Sequence, residues 1–290
     1  MQSFHRPVLL DEVREWLDIH AGMVCVDGTL GDGGHSEMMC TQVGPTGLVI
    51  GIDRDPEALL VAAERLNTET MFTVVHGNFQ DLPELVRSKT ERPVNRVLLD
   101  LGWSTTQFMM RGRGFSFLTN ELLDMRFDPS EETKTAADIV NRATKAELVR
   151  IFRQYGEEPR AESIAAALVE ARDHATITTT QQLAHVIVSV APRSGKRHPA
   201  TQVFQALRIA VNDEFEVLRS ALQHITDFIP VGAKVGVITF HSLEDRIVKQ
   251  FINSRSDVDS LLKKPITPSS DEVRDNPRSR SSKLRIFIKI

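Results

Sequence analysis

Short, almost continuously apolar runs alternate with amphipathic segments over the first hundred residues. The apolar runs, each ending in Gly or Asp, are residues 23–28, 47–53, 71–77 and 95–102. Such runs are typical of parallel strands that are covered on both faces. The segments with helical spacing are residues 34–43, 55–66 and 82–90. Repeated strand–helix units predict an α/β fold with a mostly parallel, doubly wound, Rossmann-like sheet.

The alternation stops near residue 110 and returns after residue 200. Helical patterns are found at residues 144–156, 160–174 and 179–191, and residues 201–229 have the pattern of one long amphipathic helix. Two further strands are predicted at 233–240 and 284–290, with a helix from Leu243 to about Asn253 between them and a loop-like stretch at 254–282. We therefore expect an α/β domain formed by residues 1–109 and 201–290, with an all-helical domain inserted at 110–200.

Composition narrows the class of protein. Of 290 residues, 41% are hydrophobic and 26% charged, and the net charge of −4 gives no global nucleic-acid signature. A polyanionic partner would have to meet local basic patches. No apolar run approaches the ~20 residues of a membrane span. The two cysteines, Cys25 and Cys40, suit neither a disulfide framework nor a metal site, and no other residue set has metal-ligand spacing. We expect a soluble, cytoplasmic protein without a metal.

The glycine-rich stretch 27–36, DGTLGDGGHS, follows the first predicted strand. Its glycines match neither the dinucleotide fingerprint G-x-G-x-x-G nor a phosphate-binding loop, which would end in Lys. An acidic residue at the strand end followed by Gly-x-Gly, here Asp27, Gly31 and Gly33, resembles the first motif of class I S-adenosylmethionine (SAM) methyltransferases. SAM is a cation without phosphates, so the glycines would give room and nearby carboxylates would complement its charge.

Two further carboxylates end predicted strands. Asp53 follows the glycine loop by about twenty residues, where an acidic residue binds ribose hydroxyls in such folds. The alternative, a cap on the next helix, is a task that Asp55 before Pro56 suits better. Asp100 ends the fourth strand at the expected switch point of the sheet, where a buried carboxylate is costly unless it is used.

Sequence motifs along nearly the whole chain carry a specific resemblance. In order they are HRPVLLDEV (5–13), DGTLGDGGHS (27–36), DRDP (53–56), LLDLGWSTTQ (98–107), RGFSF (113–117), LDMRFD (123–128), HPATQVFQALRIAVNDE (198–214), FHSLEDRIVKQF (240–251) and NPRSRSSKLR (276–285). Together they resemble the bacterial small-subunit ribosomal RNA cytosine-N4 methyltransferase family. The chain departs from the usual family pattern around Trp103 and Thr105, next to the expected reaction centre.

The resemblance implies a class I methyltransferase domain with an inserted helical domain, SAM as cofactor, and the exocyclic amine of a decoding-centre cytidine in 16S rRNA as substrate. The implied partner is 16S rRNA or the small ribosomal subunit, and a homodimer is left open. The implied SAM contacts are Gly33, Gly34, His35, Asp53, Phe79, Asp100 and Gln107. A capping or core role competes with cofactor contact at His35, since it lies at a predicted helix start.

The chemistry leads to two candidate catalytic residues. Asp100, with main-chain carbonyls of Leu101 or Gly102, is our candidate for positioning the cytosine amine. His241 follows the fifth strand and could touch the base; alternatively, Ser242 caps the next helix with Asp245 at its third position. Methylation at a ring carbon would need a nucleophilic cysteine, usually after Pro, and no Pro-Cys pair occurs.

Basic residues in three segments are candidates for RNA phosphate contact, with ordinary solvated surface as the alternative. They are Arg111, Arg113, Arg193, Lys196, Arg197, Arg278 and Arg280. Trp103 could stack on a base or belong to a core. Two other functions stay open: a methyltransferase of another RNA or DNA amino group, and a SAM-binding ribosome-assembly factor without turnover. The intact set Gly33, Asp53 and Asp100 argues against loss of the cofactor site.

Overall fold

The computed structural model describes residues 6–66, 71–101, 112–191 and 198–290. Its strands are β1 Val24–Asp27, β2 Leu48–Asp53, β3 Phe72–His76, β4 Arg96–Asp100, β5 Lys234–Thr239, β6 Val258–Ser260 and β7 Lys283–Lys289. Its helices are α1 Leu10–Leu17, α2 Gly34–Val43, α3 Pro56–Arg65, α4 Leu82–Arg87, α5 Ala136–Arg142, α6 Lys145–Gly156, α7 Ala161–His174, α8 Thr180–Val190, α9 Ala200–Asn212, α10 Glu214–Phe228, α11 Ser242–Ser254 and α12 Ser270–Asp275. Two short 3-10 helices span Phe79–Asp81 and Pro277–Ser281.

The seven strands form one sheet in the order β3-β2-β1-β4-β5-β7-β6. Strands β1 to β5 are parallel, whereas β7 runs antiparallel to both β5 and β6. The chain moves outward from β1 in one direction through β2 and β3, and in the other through β4 and β5. The doubly wound sheet is confirmed, with its switch point between β1 and β4, in the class I methyltransferase arrangement that the resemblance implies.

The chain divides into two compact units. Residues 1–104 and 215–290 form the first, which holds the sheet, and residues 105–214 form the second. Among the described residues of the second unit, regular structure is helical, with one isolated bridge between Leu122 and Thr179. The predicted domain limits at 109/110 and 200/201 stay a prediction, and the compact units divide at 104/105 and 214/215.

The prediction of a single helix over residues 201–229 is wrong. Helix α9 ends at Asn212, and α10 begins at Glu214, because Asp213 takes a left-handed conformation with φ 52°. Arg208 donates two hydrogen bonds, of 2.8 and 2.9 Å, to the carboxylate of Glu214 across the break. The apolar periodicity continues through this point, so the pattern alone does not reveal the break. The stretch 254–282, predicted as loop, also contains β6 and α12.

One face of the sheet carries both the core of the first unit and the functional carboxylates. Residues paired across parallel strands point to the same side, and side chains alternate along each strand. The register pairs Cys25 with Val49 and Arg96, and Asp27 with Gly51 and Leu98. Asp27, Asp53 and Asp100 therefore share the face on which Cys25, Leu98, α1 and α2 pack.

Candidate active site

At the carboxyl edge of the sheet, β1 ends two residues before its neighbours β2 and β4, which leaves a gap that we call the notch. Asp27, the last residue of β1, lies level with Gly51 in β2 and Leu98 in β4, and each neighbour runs two residues further, to Asp53 and Asp100. At about 3.3 Å per residue, the two flanking strands rise roughly 7 Å above the end of β1. The glycine loop enters this notch, with a carboxylate below it and one on each side.

Hydrogen bonds fasten the loop to both sides of the notch. The Gly31 amide donates to Asp53 Oδ2 at 2.8 Å, and the Asp100 amide donates to Thr29 Oγ1 at 2.6 Å. The Thr29 amide donates to Asp27 Oδ1 at 3.3 Å. Thr29 occupies a position where related motifs usually carry glycine, and its hydroxyl explains the difference: it connects the loop to β4.

The glycines of the loop serve different purposes. Gly33 precedes α2 with φ 78°, a conformation that L side chains rarely adopt. A Cβ on Gly34 would lie 2.4 Å from Pro7 Cγ, so this glycine permits close packing of the N-terminal segment. At Gly31, with φ 52°, an added Cβ would make an ordinary contact with the Thr29 carbonyl oxygen at 3.9 Å, so the conformation and not a clash favours glycine there.

Asp27 is a fully buried carboxyl at the bottom of the notch, with 1% of its surface exposed. Burial raises the pKa of Asp27 to about 6, against the attraction of His35 and a hydrogen bond from Ser36. The Ser36 hydroxyl donates to Asp27 Oδ2 at 2.8 Å. Sequence reasoning did not assign site roles to Thr29 and Ser36, although both lie within the glycine motif.

His35 and Asp100 meet at the same edge. His35 lies in the first turn of α2 and is 6% exposed, and its Nε2 is 3.5 Å from Asp100 Oδ2. Within the described residues, neither ring nitrogen of His35 makes a hydrogen bond of acceptable geometry, and Asp100 Oδ1 makes none either. Buried polar atoms without partners are costly, which makes this cluster a candidate ligand site.

The cofactor contacts implied at Asp53 and Phe79 lie beside the loop. Asp53 uses one carboxylate oxygen for the Gly31 amide and the other for the amide of Asp55, at 2.9 Å. The capping of α3 belongs to Asp55, which accepts from the Glu57 amide at 3.1 Å, as predicted. Phe79 Cβ lies 3.3 Å from the position of a Cβ on Gly28, so this half-buried ring borders the loop.

His241 has a structural task at the start of α11. Its Nδ1 accepts from the Glu244 amide at 3.4 Å, and Glu244 Oε2 accepts from the Phe240 amide at 2.8 Å. The helix cap is therefore His241 with Glu244, and the alternative with Ser242 and Asp245 is wrong. Whether His241 also touches a base stays a prediction.

The predicted phosphate contacts have different surroundings. Arg113 is 7% exposed and donates to the Phe127 carbonyl at 2.8 Å, so its guanidinium is used inside the second unit and is not carried forward as an RNA contact. Arg278 and Arg280 are exposed. Although Arg278 is exposed as a whole, partial desolvation of its guanidinium lowers the pKa, while the charge of Asp32 in the glycine loop raises it.

Several predicted site residues lie outside the described residues, together with Trp103. They are Gln107, Arg111, Arg193, Lys196 and Arg197.

The polar groups of the described residues fit SAM, which is a cation. Three carboxyl groups and a buried histidine surround the glycine loop. Oxygen atoms that still lack a hydrogen-bond donor among these residues complement a cation better than an anion. Within the described ranges, no group of three or more His, Cys, Asp or Glu side chains could hold a metal ion. In the same ranges, no helix is long and apolar enough to span a membrane.

Comparison with known proteins finds one matching protein family and several similar relatives. The model of the MraW methylase family matches residues 2–290. The ribosomal RNA small subunit methyltransferase H of Persephonella marina is 45% identical over 293 residues, covering 99% of each chain. That of Dictyoglomus thermophilum is 42% identical over 289 residues, covering 99% of this chain and 97% of the relative. That of Coxiella burnetii is 41% identical over 304 residues, covering 99% of each chain.

Proposed function

The chain belongs to the MraW methylase family, and from this premise we propose that it methylates the exocyclic N4 amine of a decoding-centre cytidine in 16S rRNA. The relatives' names supply the substrate class, small-subunit ribosomal RNA. The observation that carries the choice of an amine is the pair of His35 and Asp100, because Asp100 Oδ1 has no hydrogen-bond partner among the described residues and lies at the carboxyl edge of the sheet.

The cofactor is S-adenosylmethionine, which supplies an activated methyl group on a sulfonium. Five of the proposed cofactor contacts border the glycine loop or its flanking strands: Gly33, Gly34, His35, Asp53 and Phe79. Their work is to hold the cofactor and to complement its positive charge. Alignment and fixed electrostatics are the main contributions an enzyme makes to a displacement of this kind.

Asp100 would act on the substrate amine. The lone pair of a cytosine amine is delocalised into the ring, so an acceptor that holds one of its hydrogens favours attack. The Asp100 main-chain amide already donates to Thr29, which fixes this residue at the end of β4. Its Oδ1 can accept the hydrogen bond from the amine and then the proton that the amine loses.

Cysteine chemistry is disfavoured on physical grounds. Methylation of a pyrimidine ring carbon needs a thiolate nucleophile. The chain has two cysteines, and both are buried. Burial raises the pKa of the Cys25 thiol to about 12, and Cys40 is 2% exposed in α2. Neither thiol is placed to attack a base.

The test is methylation with isotopically labelled SAM of three substrates: purified small ribosomal subunits, free 16S rRNA, and DNA. The expected product is N4-methylcytidine at one position, identified by nuclease digestion and mass spectrometry of the nucleosides. Label in DNA or in another RNA alone would favour the broader methyltransferase alternative. SAM binding without label in any substrate would favour an assembly factor without turnover.

The remaining partner predictions follow from the same proposal. An RNA substrate requires contact with phosphates, for which the exposed Arg278 and Arg280 are the described candidates. The cytoplasm is the compartment in which ribosomal RNA would be met. The homodimer stays a prediction, and sedimentation analysis of the purified protein would decide it.

A further inference from the structure

His35 has two carboxyl groups as neighbours in a buried setting. It is 6% exposed, and the Asp100 carboxylate lies 3.5 Å from its Nε2. The second carboxyl is that of Asp27, whose pKa is raised to about 6 by burial, an effect that the nearby His35 opposes. Both ring nitrogens lack hydrogen bonds of acceptable geometry within the described residues. A side chain with this burial and so few partners has a purpose beyond packing.

We propose that His35 is a positioning residue for Asp100: its Nε2–H faces Asp100 Oδ2 across 3.5 Å and closes to a hydrogen bond when the substrate amine is bound, so that Asp100 Oδ1 is presented to the amine. This role rests on the proposed function, and it differs from the cofactor contact that the resemblance implies. The helix start fixes His35, because it is the second residue of α2 and the left-handed Gly33, at φ 78°, makes the turn into that helix. The Asp100 backbone is fixed independently by Thr29.

The proton balance assigns a task to each Asp100 oxygen. As the amine nitrogen forms its bond to the methyl carbon, the sulfur–methyl bond breaks and the bonding pair stays on sulfur. The nitrogen then loses one proton to Asp100 Oδ1, which converts the carboxylate to a carboxylic acid. Without a donor on Oδ2, the carboxylate of Asp100 could rotate, and neither oxygen would be reserved for the amine.

If His35 Nε2 is the hydrogen-bond donor to Asp100 Oδ2, the imidazole ring must be the tautomer with its proton on Nε2. The proton must be on Nε2 in the resting protein, which leaves Nδ1 as an acceptor. Long-range proton–nitrogen NMR spectra of protein labelled with ¹⁵N-histidine distinguish the two neutral tautomers and the cation. The His35 signal is assigned as the one lost in His35→Gln. We expect a protonated Nε2 in the wild-type protein, and a loss of this preference in Asp100→Ala.

Kinetics of side-chain replacements provide the second measurement. The amide nitrogen of Gln reaches the place of Nε2, whereas that of Asn reaches the place of Nδ1. In single turnovers at saturating SAM, His35→Gln should keep the rate within about 10-fold, while His35→Asn and His35→Leu should lose roughly 100-fold, as expected for a misplaced catalytic group. Calorimetric SAM affinity, measured in parallel, separates this loss from weaker cofactor binding.

Two results would overturn the inference. One is a wild-type His35 ring protonated on Nδ1 and bare on Nε2. The other is full recovery of the His35→Leu and His35→Asn rates at saturating SAM, which would leave His35 as a cofactor contact only. The tautomer is measured without substrate, so it stays informative if the wild-type protein methylates no cytidine and the proposed function fails.

Discussion

The buried carboxyl of Asp27 gives the sharpest prediction about stability, through the replacement Asp27→Asn. Asn has nearly the same shape but cannot ionise: its oxygen can accept from the Thr29 amide, and its amide nitrogen can donate to the Ser36 hydroxyl, which reverses that bond. In the folded protein the pKa of Asp27 is raised by burial from 3.8 to about 6. A raised carboxyl pKa stabilises the fold below pH 3.8, and this contribution is lost as the pH rises through about 6.

The magnitude follows from the two pKa values. Each pKa unit corresponds to about 1.4 kcal/mol, so ionising Asp27 in the folded state costs about 3 kcal/mol once the pH is well above 6. At pH 8, the free energy of unfolding of Asp27→Asn should therefore be up to about 3 kcal/mol higher than that of the wild-type protein. Near pH 4 the advantage should vanish, because Asp27 is then protonated in the folded protein.

Urea unfolding between pH 4 and pH 8 measures this difference, followed by tryptophan fluorescence because Trp16 packs on the core of the first unit. Asp257→Asn is the control of opposite sign. A hydrogen bond from Arg255 lowers the pKa of Asp257 from 3.8 to about 2. This replacement should therefore destabilise by a nearly constant amount between pH 8 and pH 4, because the stability that Asp257 contributes is lost only as the pH falls further, towards about 2. A stability difference for Asp27→Asn that stays constant between pH 4 and pH 8 would refute the reasoning.

Three further replacements test packing, buried hydrogen bonds and RNA contact. Gly34→Ala places a Cβ 2.4 Å from Pro7 and should lower the free energy of unfolding by about 1–3 kcal/mol in urea; an unchanged value would contradict the close packing. Asn212→Ala removes the side chain that bonds two backbone groups at 2.8 and 2.9 Å and should cost about 2–4 kcal/mol by thermal unfolding, whereas a cost near zero would mean that water replaces it. Arg280→Ala should reduce the salt slope of RNA affinity by about one, while Arg113→Ala should lower stability and leave that slope unchanged.

Local pattern was sufficient for much of the sheet and its helices. The strands β1 to β5 and β7 coincide with apolar runs, because strands covered on both faces need continuous apolar sequence. Helix α2 begins at Gly34, where the glycine loop predicted it, and Asp55 caps α3 as its position before Pro56 indicates. The three-residue strand β6 was missed, because so short an element has no recognisable period.

Tertiary contacts changed the interpretation of particular side chains. Asp213 allows a left-handed break that an amphipathic pattern does not register, so one predicted helix is two. Arg113 belongs to a basic stretch in the sequence, yet it is buried against the Phe127 carbonyl. His241 was weighed as a base contact, and the structure gives it the helix cap with Glu244.

The sequence by itself determined the alternation of strands and helices over the first hundred residues, the glycine loop and the family, because these depend on residue type and spacing along the chain. Only the tertiary structure decided how the carboxylates work. Asp27 and Asp100 are 73 positions apart in sequence, and register brings them to one face and one edge of the sheet. Burial then gives Asp27 its raised pKa, and among the described residues Asp100 Oδ1 has no hydrogen-bond partner. Desolvation and hydrogen-bond geometry depend on three-dimensional neighbours, and no spacing rule along the chain encodes them.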